Sequence, residues 1–418
     1  MELEKLNNCK VKQCRVCKKS DFSKILDLGF HPPVDDFLTK DRLDNPEIYY
    51  PLELYICNHC SLVQLGYVVP PEILYQNDYP YESSTTKTGV SHFHSFAKEA
   101  YERFGLKQGD LVIDIGSNVG VLLEGFKIMG AKVLGIDPAE NICKIARERG
   151  IDTINDFIGE SVAKKIEAEY GKAKIVTGTN VVAHIDDHHA LVRSLDTLLD
   201  KDGIFIFEAP YLVDLIEKFE YDTIYHEHLA YLSLKPMQIL FEQFGMEVFD
   251  MKKVSIHGGT VRYFIARKGQ QEICPSIAEF AKLEEEKKIY DLAVLKEFAD
   301  NVAKNREELR WLLQDLKHQG KRIAGLSAPA KGMTLLNYCK IGTETLDFLT
   351  EKSKLKIGKY SPGGHIPVLS DADLVQQMPD YALLLAWNFA EEIMKNLQEY
   401  KDKGGKFIIP IPKPHIVE

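Results

Sequence analysis

The sequence predicts an α/β protein of three units: a small metal-binding module, a central doubly wound domain, and a second α/β domain at the C-terminus. Three observations predict it. Two Cys-x-x-Cys pairs, Cys14/Cys17 and Cys57/Cys60, stand near the N-terminus. Between residues 110 and 137 an apolar run ends in a glycine turn, and the next apolar run ends in an acid. Past residue 276, two helix-like segments lead into a fresh alternation of apolar runs and helices. These transitions set expected boundaries at 1–70, 71–290 and 291–418. A chain of 418 residues with 45% hydrophobic content has material for several cores.

Charge narrows the partners. The formal net charge of −10 argues against a general nucleic-acid binder, which would carry a basic face. No apolar run reaches the length of a membrane span. The opening Met-Glu-Leu-Glu-Lys-Leu-Asn-Asn has no apolar core of a secretion signal, so a cytoplasmic protein is expected. No oligomeric state follows from the sequence, and a monomer is compatible with it.

Each N-terminal Cys-x-x-Cys pair offers two thiolates from one tight turn, and two such turns complete a tetrahedral four-sulfur zinc site. Clustering of cysteines in a reducing compartment points to metal rather than disulfides. A site closed by four thiolates leaves no position for water and is structural. Cys9 is a substitute ligand outside the paired pattern. A β-rich insert is expected between the two pairs.

In the central unit, Asp110-Leu-Val-Ile-Asp-Ile-Gly116 reads as a strand ending at a glycine, and Gly116-Ser117-Asn118-Val-Gly120 turns into an apolar helix. Lys132-Val-Leu-Gly-Ile-Asp137 is a second strand with an acid at its tip, followed by Pro138. Glycines let a cofactor approach the backbone, and a second-strand acid accepts ribose hydroxyls. Gly-x-x-x-Gly departs from the dinucleotide fingerprint and disfavours NAD. Lys174–His184 and Gly203–Pro210 read as the fourth and fifth strands with their loops.

The C-terminal unit opens with two helices within 276–319. Strands are expected at Lys321–Ser327, Leu346–Thr350, Tyr381–Ala386 and Lys406–Pro410. The Ser327–Gly332 turn, at a helix start, is placed to receive a phosphate through backbone N–H groups and Lys331.

The densest chemistry lies in Tyr221-Asp-Thr-Ile-Tyr225-His226-Glu227-His228, where imidazoles, carboxylates and phenols share eight residues. All can move protons near neutral pH. The competing reading is a polar loop whose histidines only cap or solvate.

Asp114-Ile-Gly116-Ser-Asn-Val-Gly120 resembles motif I of the S-adenosylmethionine-dependent methyltransferases, a Rossmann-like fold. That resemblance implies a cofactor site of Asp114, Gly116, Ser117, Asn118, Gly120, Asp137 and Pro138, with Asp156 and Phe157 on the adenine side. A wider set of segments resembles one family, the nucleotide-sugar C-methyltransferases that build branched deoxysugars, such as the 3-C-methyltransferase of tetronitrose biosynthesis. The set comprises the doubled Cys-x-x-Cys, Tyr79-Pro-Tyr81-Glu-Ser-Ser84, Asn180-Val-Val-Ala-His184, Tyr225-His-Glu-His228 and His257-Gly-Gly-Thr-Val-Arg262. It continues with Ser327-Ala-Pro-Ala-Lys331-Gly332, Asn337-Tyr338 and Gly358-Lys-Tyr360-Ser-Pro-Gly-Gly-His365-Ile-Pro. The segment Glu351–Lys356 departs from the family's usual Asp-Arg-Asn-Pro-like stretch, which bears on the sugar and base and not on methyl transfer.

The resemblance implies methylation of a sugar carbon beside a ketone, through an enolate. It makes His228 the base, with His257 second, and gives Tyr225 the sugar oxygen and Glu227 an orienting role. Tyr79 and Tyr81 would close over the sugar. Asn180, His184, Ser327, Lys331, Gly332, Asn337, Tyr360 and His365 would contact a nucleotide-sugar held between the central and C-terminal units. An O- or N-methyltransferase of a small molecule, or a non-catalytic scaffold, are the alternatives; intact Asp114, Gly116 and Asp137 speak against the scaffold.

Overall fold

A computed structural model describes residues 9–75, 80, 82–84, 87–254 and 259–418. Tyr79, Tyr81 and His257 lie outside the described residues.

Three sheets organise the chain. In the first, β1 (Phe22–His31), β2 (Tyr50–Cys57) and β3 (Val63–Leu65) pair antiparallel in chain order, the β-rich insert expected between the cysteine pairs. The burial of β2 alternates strictly over its first six residues, as for a strand with one face on a core.

The second sheet has seven strands: β4 (Leu111–Ile115), β5 (Lys132–Asp137), β6 (Thr153–Asn155), β7 (Ala173–Thr179), β8 (Leu199–Pro210), β10 (Met246–Val254) and β11 (Thr260–Arg267). Their order is β10-β11-β8-β7-β4-β5-β6. The first five are parallel, with helices packed on the faces, so β4 is buried along its whole length. β11 runs antiparallel against β8 and makes a hairpin-like pair with β10. Strand order reverses between β4 and β7, and in such sheets ligands bind beyond the strand tips at that switch.

A two-residue strand, β9 (Ala230–Tyr231), leaves the central unit and pairs with β3, so the N-terminal sheet is completed by a piece of the central chain. Here the sequence reading placed no strand, because two residues carry no periodicity.

The third sheet has β12 (Ile323–Leu326), β13 (Leu349–Glu351), β14 (Val368–Ser370), β15 (Tyr381–Leu384), β16 (Lys406–Ile409) and β17 (His415–Val417), in the order β14-β13-β12-β15-β16-β17. All neighbours are parallel except β16 and β17. Helices Pro275–Glu286 and Leu292–His318 lead into it, the first started by Pro275 and the second capped by the Asp291 side chain on the Ala293 N–H. β14 and β17 are additions to the four strands expected from sequence. Among the described residues no helix is long and apolar enough to cross a membrane.

Candidate active site

The four N-terminal cysteines converge. Their sulfurs all lie within 4.8 Å of one another, with Cys14 to Cys60 at 3.4 Å and Cys17 to Cys57 at 3.5 Å. A zinc with Zn–S bonds of about 2.3 Å needs tetrahedral S···S edges of about 3.8 Å. The four thiols therefore fit zinc with small outward shifts. Cys9 is not part of the cluster.

The knuckle is not an isolated ornament. Arg15, between Cys14 and Cys17, is buried and lies 3.0 Å from the Asp186 carboxylate, two residues past His184. Its Nη1 donates to Gln64 Oε1 and to the Leu65 carbonyl. His189 Nε2 and the Gln243 amide both meet the Val16 carbonyl. Lys18 pairs with Asp187, the cap of the helix His188–Leu198. The loop after β7 is thus held from the metal side.

At the switch point, Gly116 and Gly120 sit at φ 67° and 79°. These backbone angles favour glycine. A Cβ on Gly116 would come within 2.8 Å of Val181, so the glycine also lets the loop after β7 close onto the turn. Asn118, likewise left-handed, accepts on Oδ1 from the Ser83 and Val119 N–H groups. Asp137 accepts from the Asn118 and Ala139 N–H groups, at 2.9 Å each. Burial pushes the Asp137 carboxyl up, and these two N–H groups oppose that. Asp114 is fully buried and takes a 2.7 Å hydrogen bond from Thr177 Oγ1; burial raises it to about 7. Its place is a strut between the tips of β4 and β7. Ser117 Oγ and Asn180 Oδ1 are buried with no partner among the described residues. Orphaned polar atoms at a glycine turn facing a strand-tip acid fit the amino-acid and ribose parts of S-adenosylmethionine. Pro138 follows Asp137, half-buried; Asp156 is exposed, Phe157 half-buried, and Asp156 accepts the Phe157 N–H.

The Tyr225–His228 segment lies against the same loop. The His228 and His184 rings are 4.9 Å apart, and Tyr225 lies over His228 at 4.0 Å. His228 Nδ1 is 2.7 Å from the Thr223 carbonyl, which only accepts, so Nδ1 carries the proton and Nε2 keeps its lone pair. Burial lowers the His228 imidazole to about 4 and pushes the Tyr225 phenol well above its usual range. Glu227 is buried near that phenol, which its charge pushes up further. His226 faces away: its Nε2 meets the Pro51 carbonyl and its ring sits edge-on to Tyr50.

The C-terminal residues divide. Lys331 is half-buried beside Asp222 and Glu220, bonds Asn388 and lies over the Trp387 ring, whose Nε1 donates to Asp222. Ser327 is left-handed, and its N–H donates to Thr350 while the Ala328 N–H donates to Glu351. Two of the N–H groups expected to face a phosphate, those of Ser327 and Ala328, are therefore already engaged by residues of β13. Gly332 is buried where a Cβ would meet Leu385 at 2.8 Å. Asn337, Tyr360 and His365 lie elsewhere. Asn337 donates to the Met333 and Pro362 carbonyls, Tyr360 bridges to Leu38, and His365 Nε2 bonds Glu47 at 2.6 Å. The Tyr360 and His365 contacts clasp the C-terminal unit to the N-terminal module, and the Asn337 bonds stay within the C-terminal unit.

Sequence reasoning missed three contributors. Tyr75 bonds His184 Nδ1 at 3.2 Å. The Thr223 carbonyl sets the His228 ring. Glu208 near the end of β8 joins His92 and Arg262, with Glu208 and Arg262 buried and His92 half-buried. Only Tyr75 had a visible signal, a tyrosine just ahead of Tyr79 and Tyr81.

Comparison with known proteins accords with this architecture. Residues 14–75 match a family described as "Putative zinc binding domain", residues 90–250 a "Methyltransferase domain", and residues 255–412 a "C-methyltransferase C-terminal domain". The C-methyltransferase NovU of Streptomyces niveus is 36% identical over 408 residues, covering 97% of each chain. A ubiquinone biosynthesis O-methyltransferase of Bordetella bronchiseptica is 32% identical over 110 residues, 26% of this chain and 46% of that one. Among solved structures, the magnesium protoporphyrin IX methyltransferase of Synechocystis with bound SAH aligns with a TM-score of 0.34 at 18% identity, over 43% of this chain and 83% of that one. The zinc knuckles, the switch-point turn and the whole-length match agree: the chain is a methyltransferase and belongs to the C-methyltransferase family that includes NovU.

Proposed function

We propose that this enzyme uses S-adenosylmethionine to methylate a carbon beside a ketone in a nucleotide-linked deoxysugar. The observation that carries the reading is the His228 ring: protonated on Nδ1 by its bond to Thr223, it offers an unprotonated Nε2 beside His184 and Tyr225. An O-methyltransferase has less need of a base buried and kept neutral in this way. Methyl transfer to carbon needs an enolate, hence a base at the α-carbon and donors at the oxygen.

S-adenosylmethionine supplies an electrophilic methyl when bound, and the Asp114–Gly120 turn with Asp137 holds it. His228 takes the α-proton. Tyr225, kept a neutral phenol by burial, donates toward the sugar oxygen, and Glu227 orients the pair. The units 1–70, 71–290 and 291–418 divide the work as metal module, cofactor domain and nucleotide-sugar domain. Lys331, the cation between Asp222 and Glu220, stands where the second and third units meet. Tyr79, Tyr81 and His257 remain candidates for closing over the sugar, with His257 the alternative base. Incubating nucleotide-linked keto-sugars with S-adenosylmethionine and reading product mass tests the proposal. Addition of one methyl that carbon–proton correlation places on a ring carbon, with loss of the α-proton, supports it; methylation on oxygen or nitrogen overturns it.

A further inference from the structure

We propose that Tyr75 is a positioning residue: its hydroxyl holds His184 in the tautomer protonated on Nε2, so that His184 offers an N–H to the oxygen of the reacting carbonyl. The inference rests on the reading above, in which an enolate forms beside His228.

Tyr75 ends the short helix Pro71–Tyr75 and stacks on His184, ring centres 6.1 Å apart and planes 20° from parallel. Its hydroxyl lies 3.2 Å from His184 Nδ1. A phenol is a better acid than a neutral imidazole N–H, and an imidazole nitrogen is a better acceptor than a phenol oxygen. The shared proton therefore belongs to Tyr75, Nδ1 accepts, and the one ring proton of His184 sits on Nε2. That Nε2 is buried with no partner among the described residues. A shielded N–H without an acceptor is costly, and a substrate oxygen relieves it.

The neighbouring ring is set the opposite way. The Thr223 carbonyl places the His228 proton on Nδ1 and leaves Nε2 basic. Two imidazoles 4.9 Å apart thus present one lone pair and one N–H. In the step they serve, the α-proton passes to His228 Nε2. The C–H pair becomes the enolate C=C, and the carbonyl π pair moves onto oxygen, which the His184 N–H stabilises without transfer. The enolate carbon then takes the methyl, the S–CH3 pair stays on sulfur, and His228 releases its proton to solvent. A His184 ring in the other tautomer would set a lone pair against the enolate oxygen.

The test uses the full-length, zinc-loaded enzyme with 15N-ring-labelled histidine, the His184 signals being assigned against His184→Asn. Long-range proton–nitrogen correlation should show His184 with a bare Nδ1 and a protonated Nε2, and Tyr75→Phe should mix the tautomers. Tyr75→Phe should also lower kcat by about tenfold with little change in KM, less than the 10²–10³ expected for loss of an oxyanion donor. A wild-type spectrum with Nδ1 protonated overturns the proposal, as does a Tyr75→Phe enzyme with unchanged tautomer and kcat. Should Tyr75→Phe not fold, the wild-type spectrum decides alone. The spectrum needs no substrate, so a wild-type enzyme that methylates without any α-proton exchange or loss would refute the enolate reading and leave the Tyr75–His184 relation standing.

Discussion

Thr223 and His228, five residues apart, are joined by a 2.7 Å hydrogen bond from the imidazole Nδ1 to the backbone carbonyl. The bond orients the ring and selects the lone pair available for chemistry. His228→Asn keeps a side chain able to donate to Thr223 but has no basic nitrogen. Turnover should fall about 10²–10⁴-fold, the range for loss of a general base. S-adenosylmethionine affinity should be unchanged, and deuterium wash-in at the sugar α-carbon should fall in parallel. Exchange that survives in His228→Asn and vanishes in His257→Asn would move the base to His257.

The acid limb of the rate profile should report the same burial. His228 is lowered to about 4, so it stays a competent base well below the ordinary histidine range. The plot of kcat/KM against pH should hold level down to about pH 5 before bending. A bend near 6.5 would show a solvated imidazole.

Stability should lean the other way on acidification. Burial lowers His31 and His188 to about 3, and His226 and His228 to about 4. Between those values and the unfolded value near 6.5, the unfolded chain binds protons that the folded chain refuses. Stability therefore rises with pH through this window, levels off above it, and is lost on going down, by as much as about 1.4 kcal/mol per pH unit for each ring. The carboxyls of Asp114 and Glu220, raised to about 7 by burial, bind protons in the folded chain over the same window and oppose part of this loss. A melting temperature that falls from pH 6.5 to 5 is the expected net of four lowered imidazoles against these two carboxyls, and one that rises over that range would contradict the buried neutral rings.

Asp137 both anchors the turn, through Asn118 and Ala139, and faces the ribose in the proposed site. Asp137→Ala should weaken S-adenosylmethionine binding by about 1–3 kcal/mol, the scale of charge-assisted hydrogen bonds. Calorimetry on the folded variant checks it, and unchanged affinity would place the ribose elsewhere.

One zinc per chain is expected on Cys14, Cys17, Cys57 and Cys60. Elemental analysis after reducing, chelator-free purification should find about one equivalent. Cys57→Ser should cost more in melting temperature than in turnover of the surviving folded fraction. Metal-free protein of full stability would remove the site from the account.

The parts legible from sequence were those written in short spacings. The cysteine knuckles, the Gly116–Gly120 turn and the strand ending at Asp137 each occupy a few consecutive residues, so their pattern survives without the fold. The relations that were not legible join distant residues of ordinary type. Glu47 reaches His365, Arg15 reaches Asp186, and Glu208 reaches Arg262. Nothing local distinguishes those partners until the sheets bring them together. The Ser327–Gly332 turn carries a second lesson: its spacing does not tell that β13 delivers Thr350 and Glu351 to the Ser327 and Ala328 N–H groups. Which neighbour fills a turn is decided by strand order, and a single stretch of sequence does not carry that.

The pairing of β3 with β9, together with the Arg15–Asp186 contact, has a consequence for how such enzymes are inherited and rebuilt. The metal module ends in sequence well before the catalytic segment, but its sheet is finished by Ala230–Tyr231, two residues beyond His228. Recombination at the apparent boundary near residue 70 would graft a foreign edge onto Ala230–Tyr231 and a foreign cation onto Asp186. Chimaeras between relatives should therefore succeed when those two surfaces travel with the cysteines, and fail when the cut follows the chain alone.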